Sequence, residues 1–150
     1  MEASLGLLIR LAFGTMFLAA GSSKLSDLGE FAEAIKHYRL IPGVTAGFVA
    51  RVVAIVEVTL GVVLLVGVAI PVASVAGSAL LIVFALAMAI NLFRGRRIDC
   101  GCKRGSEPIQ IKHILRNSAG VAALVFLARV PTHPWAVDAV AAHSLPSFPL

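Results

Sequence analysis

The sequence predicts an all-α integral membrane protein, a four-helix bundle with a short amphipathic interfacial helix between its first and second spans. Of the 150 residues, 59% are hydrophobic and only 14% are charged, whereas soluble domains are about half apolar and about a quarter charged. The mean hydropathy is +0.94. The apolar residues form runs long enough to cross a bilayer, which takes about 20 residues. We predict a single domain with spans at roughly residues 4–21, 44–68, 72–93 and 113–130.

The first apolar run, residues 4–21, is expected to be a retained span rather than a cleaved signal peptide. Arg10 lies inside it, and no small-residue cleavage site precedes a polar mature domain.

The amphipathic helix is predicted at residues 27–40. Asp27 and Glu30 have the spacing of a capping box, and Pro42 disfavours helical geometry in the residue before it. Apolar residues then recur at helical spacing, at Leu28, Phe31, Ile35 and Tyr38. Such a helix is expected to lie in the membrane interface or to cap the bundle.

The second and third spans come from one long apolar stretch. From Val52 to Phe93 the only charged residue is Glu57, and the stretch is about twice the length of one span. It must therefore turn back once, and the sequence VGVAIP, with Gly67 and Pro71, predicts the hairpin. An irregular tail is expected at residues 131–150, which contain Trp135 and several prolines.

Both cysteines lie in the loop predicted at residues 94–112, where Cys100 and Cys102 flank Gly101. Two residues of extended chain span about 7 Å, whereas the Cα atoms of a disulfide lie about 4.4–6.8 Å apart. The chain must bend to close this small ring, so its disulfide would be strained and easily reduced. Because it closes almost no loop, it would stabilise the fold very little. A redox role is therefore favoured over a structural one.

The cationic side chains around the cysteines are expected to tune the thiols. Cations stabilise the thiolate, which is the nucleophilic form, and five lie nearby: Arg94, Arg96, Arg97, Lys103 and Arg104. Asp99 opposes this effect at Cys100, so Cys102 is the favoured nucleophile. The leading interpretation is a thiol–disulfide oxidoreductase acting on a protein partner. The alternatives are capture of a soft metal ion such as mercury or copper(I) by the two thiolates, and a non-enzymatic assembly factor with incidental cysteines. Zinc is poorly supported, because it needs four ligands and His113, expected to be an ordinary interfacial residue, is the only histidine nearby.

The net charge of +5 is explained by membrane topology. The basic residues flank apolar runs, and no nucleic-acid-binding pattern is present. Catalytic triads, phosphate-binding glycine loops and paired carboxylates are also missing from the sequence. Short loops rich in lysine and arginine face the cytoplasm, and the first and third connections hold most of them. The charge distribution thus places the cysteine loop on the cytoplasmic side of the membrane.

Glu57 is an ionisable residue in the middle of the second span, where it would cost a few kcal/mol if unpaired. Arg10 is at a compatible depth in the first span. An Arg10–Glu57 pair that holds the bundle together is favoured slightly over a proton-handling or quinone-binding pocket.

Three stretches of the sequence resemble the DoxX-like and MauE-like membrane proteins. The first span is followed by a Gly-x-x-Lys-Leu turn (Gly21, Lys24, Leu25), and the second contains Glu-x-x-x-Gly (Glu57, Gly61). RGRRIDCGC, followed by IKHILRNSAG, resembles the Arg-Gly, Cys-x-Cys and Arg-Asn pattern of the MauE branch: Arg94, Gly95, Cys100, Cys102, Arg116 and Asn117. The resemblance covers most of residues 7–127.

The resemblance implies a four-helix inner-membrane protein associated with redox processes. MauE-type proteins are linked to maturation of methylamine dehydrogenase, whose disulfides form in the periplasm. DoxX-type proteins are linked to quinone-coupled oxidation of sulfur compounds or thiols. The architecture is also similar to that of the thiol-to-quinone bundles DsbB and vitamin K epoxide reductase. Quinone is thus the cofactor that the resemblance implies, and a thioredoxin-like protein is the alternative partner.

The chain departs from the family pattern after Cys102. The MauE branch commonly has Phe-Gly there, whereas this chain has Lys103, Arg104 and Gly105, which puts the same docking partner in doubt. Quinone-coupled bundles usually relay electrons through two cysteine pairs, and this chain has one. A periplasmic role also conflicts with the cytoplasmic placement that the charges predict.

Overall fold

A computed structural model describes residues 2–95 and 110–129 of the chain. Within these ranges the protein is helical and contains no β-strand. The α-helices are α1 (Glu2–Ser26), α2 (Leu28–Tyr38), α3 (Ala46–Val66), α4 (Ile70–Phe93) and α5 (Ile111–Arg129), and a short 3-10 turn (Gly43–Thr45) precedes α3. The predicted all-α class is confirmed.

Four helical segments are long and apolar enough to cross a membrane. They are Ser4–Ser26, Gly43–Val66, Ile70–Phe93 and Ile111–Arg129, which confirms the predicted four-helix membrane bundle. The first extends to Ser26, past the expected end at Gly21. Its last turn accommodates polar residues because the Ser26 hydroxyl donates to the Ser22 carbonyl at 2.9 Å and Lys24 finds a buried partner.

Helices α1 and α3 pack against each other in antiparallel orientation at very close range. A Cβ atom built on Gly21 would lie 2.7 Å from the Val58 backbone nitrogen, and one built on Gly61 would lie 2.5 Å from that of Leu18. These distances are shorter than van der Waals contact, so only glycine permits this approach. Small residues at such positions allow membrane helices to pack closely.

Helices α4 and α5 form the second antiparallel pair. The Leu124 side chain lies 3.2 Å from a Cβ built on Gly77, and that of Leu81 lies 2.9 Å from one built on Gly120. The Phe17 ring of α1 also reaches Gly77, at 3.2 Å, and joins the two pairs in one core.

The bundle has two distinct ends. The hairpin end holds the turn between α3 and α4, where the chain reverses through Gly67 (φ 81°) and Ala69 (φ 46°). The loop end holds the carboxyl ends of α1 and α4, the amino ends of α3 and α5, and helix α2.

Helix α2 is fixed at its amino end by a side-chain cap. The Asp27 carboxylate accepts a hydrogen bond from the Glu30 backbone N–H at 2.9 Å, as the capping spacing predicts. On its exposed face Lys36 donates to Glu33 at 2.6 Å, and this hydrogen bond holds the pKa of the Glu33 carboxyl below its usual value. No residue of α2 is fully buried, so its apolar face is only partly covered by the bundle.

Candidate functional site

The cysteine segment is attached to the loop end of the bundle at both of its ends. Cys100 and Cys102, with the expected tuning residues Arg96, Arg97, Lys103 and Arg104, lie outside the described residues. The fifth tuning residue, Arg94, caps the carboxyl end of α4 and is exposed. On the other side, Gln110 leads into α5.

Below this end of the bundle lies a buried ion pair between α1 and α3. The Lys24 ammonium donates to both carboxylate oxygens of Glu57, at 2.9 Å and 2.7 Å. Lys24 is 7% exposed and Glu57 is 2% exposed. Charge-assisted hydrogen bonds of this kind are about twice as strong as neutral ones, and here they satisfy a carboxylate inside the apolar bundle.

Glu57 therefore contacts a partner other than the predicted Arg10. The glycine contacts fix the register of α1 against α3 and place Glu57 level with the last turns of α1. Arg10 lies 14 residues before Lys24 in the sequence, which is about 21 Å along a helix. It is buried near the hairpin end instead. The depth estimate from sequence failed because α1 continues beyond Gly21.

The close approach of α1 and α3 brings the ion pair together. Gly21 lies against the backbone at Ala54 and Val58. Lys24 follows Gly21 by one turn of α1, and Glu57 lies between Ala54 and Val58 on α3. The residues that carry the family resemblance in these two spans are therefore one structural unit, made of Gly21, Lys24, Glu57 and Gly61.

Two aromatic rings lie beside the ammonium of Lys24. Its nitrogen is 5.2 Å from the ring centroid of Phe31 on α2 and 5.6 Å from that of Phe84 on α4. Both distances lie within the range of cation–π attraction, about 6 Å. Lys24 of α1 thus contacts residues of three other helices: Glu57 of α3, Phe31 of α2 and Phe84 of α4.

A cavity of about 180 Å³ opens beside this cluster. Helices α2, α3 and α4 surround it, and Lys24 is the charged member of its lining. The other lining residues are almost all apolar: Phe31, Ala34, Ile35, Tyr38, Leu40, Ile41, Val49, Val53, Val83, Phe84, Ala87 and Met88. Neither Glu57 nor Arg10, the residues of the predicted pocket, is among its described lining residues, and Glu57 is connected to the cavity through Lys24.

Polar side chains are also buried along the contact between α4 and α5. Asn91 is 0% exposed, His113 is 4% exposed and Asn117 is 7% exposed. The Asn91 amide donates to the Ala87 carbonyl at 3.1 Å, and the Nδ1 atom of His113 accepts from the Gln110 N–H at 3.1 Å. His113 thus lies in the first turn of the fourth span, where the sequence placed it, but its side chain is buried within the bundle. Its spacing from Asn117 and Gly120, which places all three on one helix face, was the available signal.

Among the described residues, no group of three or more histidine, cysteine, aspartate or glutamate side chains could hold a metal ion. The alternative soft-metal ligands, Cys100 and Cys102, fall outside those residues.

Comparison with known proteins assigns the chain to a family. Residues 2–130 match the family model described as methylamine utilisation protein MauE. The chain belongs to the MauE family. The resemblance drawn from the Gly-x-x-Lys-Leu, Glu-x-x-x-Gly and Cys-x-Cys motifs is thereby confirmed.

Three MauE relatives give the extent of the similarity. The chain is 42% identical to the methylamine utilization protein MauE of Paracoccus denitrificans over 113 residues, which are 73% of this chain and 60% of that protein. It is 32% identical to the Methylophilus methylotrophus protein of the same name, over 79% of this chain and 67% of the relative. It is 35% identical to the Paracoccus versutus protein of the same name, over 81% of this chain and 70% of the relative. The chain thus spans less than two thirds of the length of the first relative. No solved structure matches the chain.

Proposed function

We propose that this MauE-family chain is a thiol–disulfide redox protein of the bacterial inner membrane that serves methylamine utilisation. The pathway is suggested by the names of its relatives. The observation that carries the chemistry is the Cys-Gly-Cys sequence: the two cysteines of the chain stand one residue apart among five cations. The segment that contains them is attached to the bundle end that holds the Lys24–Glu57 pair.

The proposed reaction is dithiol–disulfide exchange. The Cys102 thiolate attacks one sulfur of a partner disulfide and forms a mixed disulfide, and the other partner sulfur leaves as a thiolate. Cys100 then attacks the Cys102 sulfur, which releases the second partner thiol and closes the Cys100–Cys102 disulfide. The same steps in reverse oxidise a partner dithiol. The loop cations favour this chemistry because they stabilise the attacking thiolate.

A single cysteine pair needs an external redox partner at each turnover. One side of the cycle requires a thiol or disulfide protein, for which a thioredoxin-like protein is the proposed class. The other side requires either a second such protein or a membrane quinone.

The orientation is proposed from the charges near the ends of the spans. Lys24 is removed from that count because it is buried and neutralised by Glu57. Lys36, Arg39 and Arg94 remain exposed at the loop end, and the sequence adds Arg96, Arg97, Lys103 and Arg104 to the connection between α4 and α5. The loop end is therefore proposed to face the cytoplasm.

Cysteine variants test the exchange reaction directly. We expect Cys100→Ser to retain the attacking thiol and to accumulate a mixed disulfide that reducing agent releases. We expect Cys102→Ser and the double variant to form none. The measurement is non-reducing electrophoresis after treatment with a thioredoxin-like disulfide protein. Each variant is also tested for methylamine-dependent growth in a host that lacks its own MauE-family gene.

Two outcomes would contradict the exchange reaction. Growth of the double cysteine variant at the wild-type rate would make the cysteines incidental and favour an assembly factor. One mercury or copper(I) ion bound per reduced chain, lost in Cys100→Ser and without any mixed disulfide, would favour soft-metal handling.

A further inference from the structure

The cavity beside Lys24 is lined in part by an exposed residue of a helix long and apolar enough to cross the membrane. Val83 lines the cavity from the middle of α4 and is 59% exposed. On the opposite wall, helix α2 contributes Phe31 and Ile35, and no residue of α2 is fully buried. An apolar molecule dissolved in the membrane can therefore enter from the side, past α2 and α4.

At one end of the cavity Lys24 offers a hydrogen-bond donor, and its charge is balanced by that of Glu57. The Lys24 ammonium has three N–H donors, and the oxygens of Glu57 accept two of them. Because the carboxylate neutralises the ammonium, an anionic headgroup gains little there. A neutral carbonyl oxygen can accept the remaining N–H. The rings of Phe31 and Phe84 beside the ammonium suit a flat ring, which packs well against aromatic side chains.

From this arrangement we propose that the cavity binds a membrane quinone, with a ring carbonyl at Lys24 and the ring between Phe31 and Phe84. The apolar lining of α2, α3 and α4 holds the tail. This inference rests on the proposed function only for the role of the quinone, as the electron acceptor of the dithiol. The binding site itself rests on the cavity.

The redox step balances with quinone as the oxidant. Formation of the Cys100–Cys102 disulfide releases two electrons and two protons, and reduction of the quinone to the quinol consumes two of each. With a quinone bound, Lys24 would give one proton to the ring carbonyl beside it and regain one of the two protons released by the thiols, and the other released proton would go to the second carbonyl oxygen. Met88 lines the cavity five residues before the end of α4 at Phe93, which is about 8 Å along the helix. Four residues lie between Gly95 and Cys100, and the five Cα–Cα steps span up to about 18 Å.

The test is equilibrium binding of decylubiquinone to the full chain in nanodiscs made from quinone-free phospholipid. Ala87→Phe fills the cavity from α4 and is expected to raise the Kd at least about tenfold. Ala79→Phe is the matched control on the exposed side of the same helix, and we expect it to leave the Kd unchanged. Decylbenzene has the tail and a ring but no carbonyl, and we expect it not to compete.

A second variant tests the carbonyl contact. Lys24→Met combined with Glu57→Leu removes the donor without leaving a buried charge, and it should also weaken decylubiquinone binding about tenfold or more. Equal binding by wild type and Ala87→Phe would overturn the proposed site. Equal competition by decylbenzene would show a site for lipid chains instead.

The same experiment separates this inference from the proposed function. The Cys100→Ser, Cys102→Ser double variant is expected to bind decylubiquinone as the wild type does, because the proposed contacts come from the described lining residues between Lys24 and Met88. Binding in both proteins with no quinol formed by the reduced wild type would contradict the redox function and leave the binding site standing.

Discussion

We expect Glu57→Leu to lower the free energy of unfolding by about 3–5 kcal/mol, the usual effect of removing one partner from a buried ion pair. The substitution leaves the Lys24 ammonium 7% exposed and without the two hydrogen bonds that Glu57 accepts. Lys24→Met should have a similar effect, since it leaves the Glu57 carboxylate buried and unpaired. The measurement is reversible unfolding in detergent, followed by circular dichroism.

The double variant shows whether the single variants lose stability because the interaction is lost or because a buried charge is left unpaired. Lys24→Met with Glu57→Leu replaces the pair by apolar side chains of similar size, a change that is often neutral or stabilising. We therefore expect it to recover most of the stability lost in either single variant. Lys36→Met is the control, because it breaks the exposed Lys36–Glu33 pair, and exposed pairs contribute little. Wild-type stability of both single variants would contradict a buried Lys24–Glu57 pair.

Gly61→Ala is expected to destabilise the bundle by about 1–3 kcal/mol or more, the range for overpacking a close contact. The added Cβ would lie 2.5 Å from the Leu18 backbone nitrogen and 2.8 Å from its Cα. Backbone cannot rotate away as a flexible side chain can, so α1 and α3 must separate. Because the contact at Gly21 and the Lys24–Glu57 pair share this surface, the separation should also weaken the ion pair.

Gly47→Ala is the matched control in the same helix. A Cβ at Gly47 meets nothing within 4 Å, and alanine is favoured over glycine in helices by about 1 kcal/mol. This variant should be as stable as the wild type or slightly more stable. The same unfolding assay serves both variants. Equal stabilities for the two would contradict the close contact between α1 and α3.

The sequence was sufficient to predict the helices because membrane spans are specified by composition over long windows. Each of the four apolar runs, and the Asp27 cap, depends only on residues close together in the sequence. The end of α1 was predicted less well. A serine-rich turn with a lysine usually ends a span, but here Ser26 donates to the helix backbone and Lys24 is neutralised by a residue 33 positions away.

The sequence alone could not identify the partner of Glu57. Depth in the membrane is a property of one helix, whereas an ion pair depends on the register and rotation of two helices. Gly21 and Gly61 set that register, and their role is visible only when the backbones are in contact. The burial of His113 was not predicted for the same reason, because it depends on how α5 packs in the bundle. The cavity beside Lys24 depends on how α2 lies over α3 and α4, which the local pattern of α2 does not specify.

The proposed function requires that Cys100 and Cys102 form a reversible disulfide. Alkylation in oriented membrane vesicles tests this requirement most directly. Membranes are prepared without reductant, and a membrane-impermeant maleimide is applied before or after a mild reducing treatment. Inside-out and right-side-out vesicles are compared, and the double Cys→Ser variant provides the background. Both thiols are expected to be labelled only after reduction, in the vesicles that expose the cytoplasmic face. Equal labelling with and without reduction would mean that the thiols are free in the membrane, and it would contradict a redox-active pair.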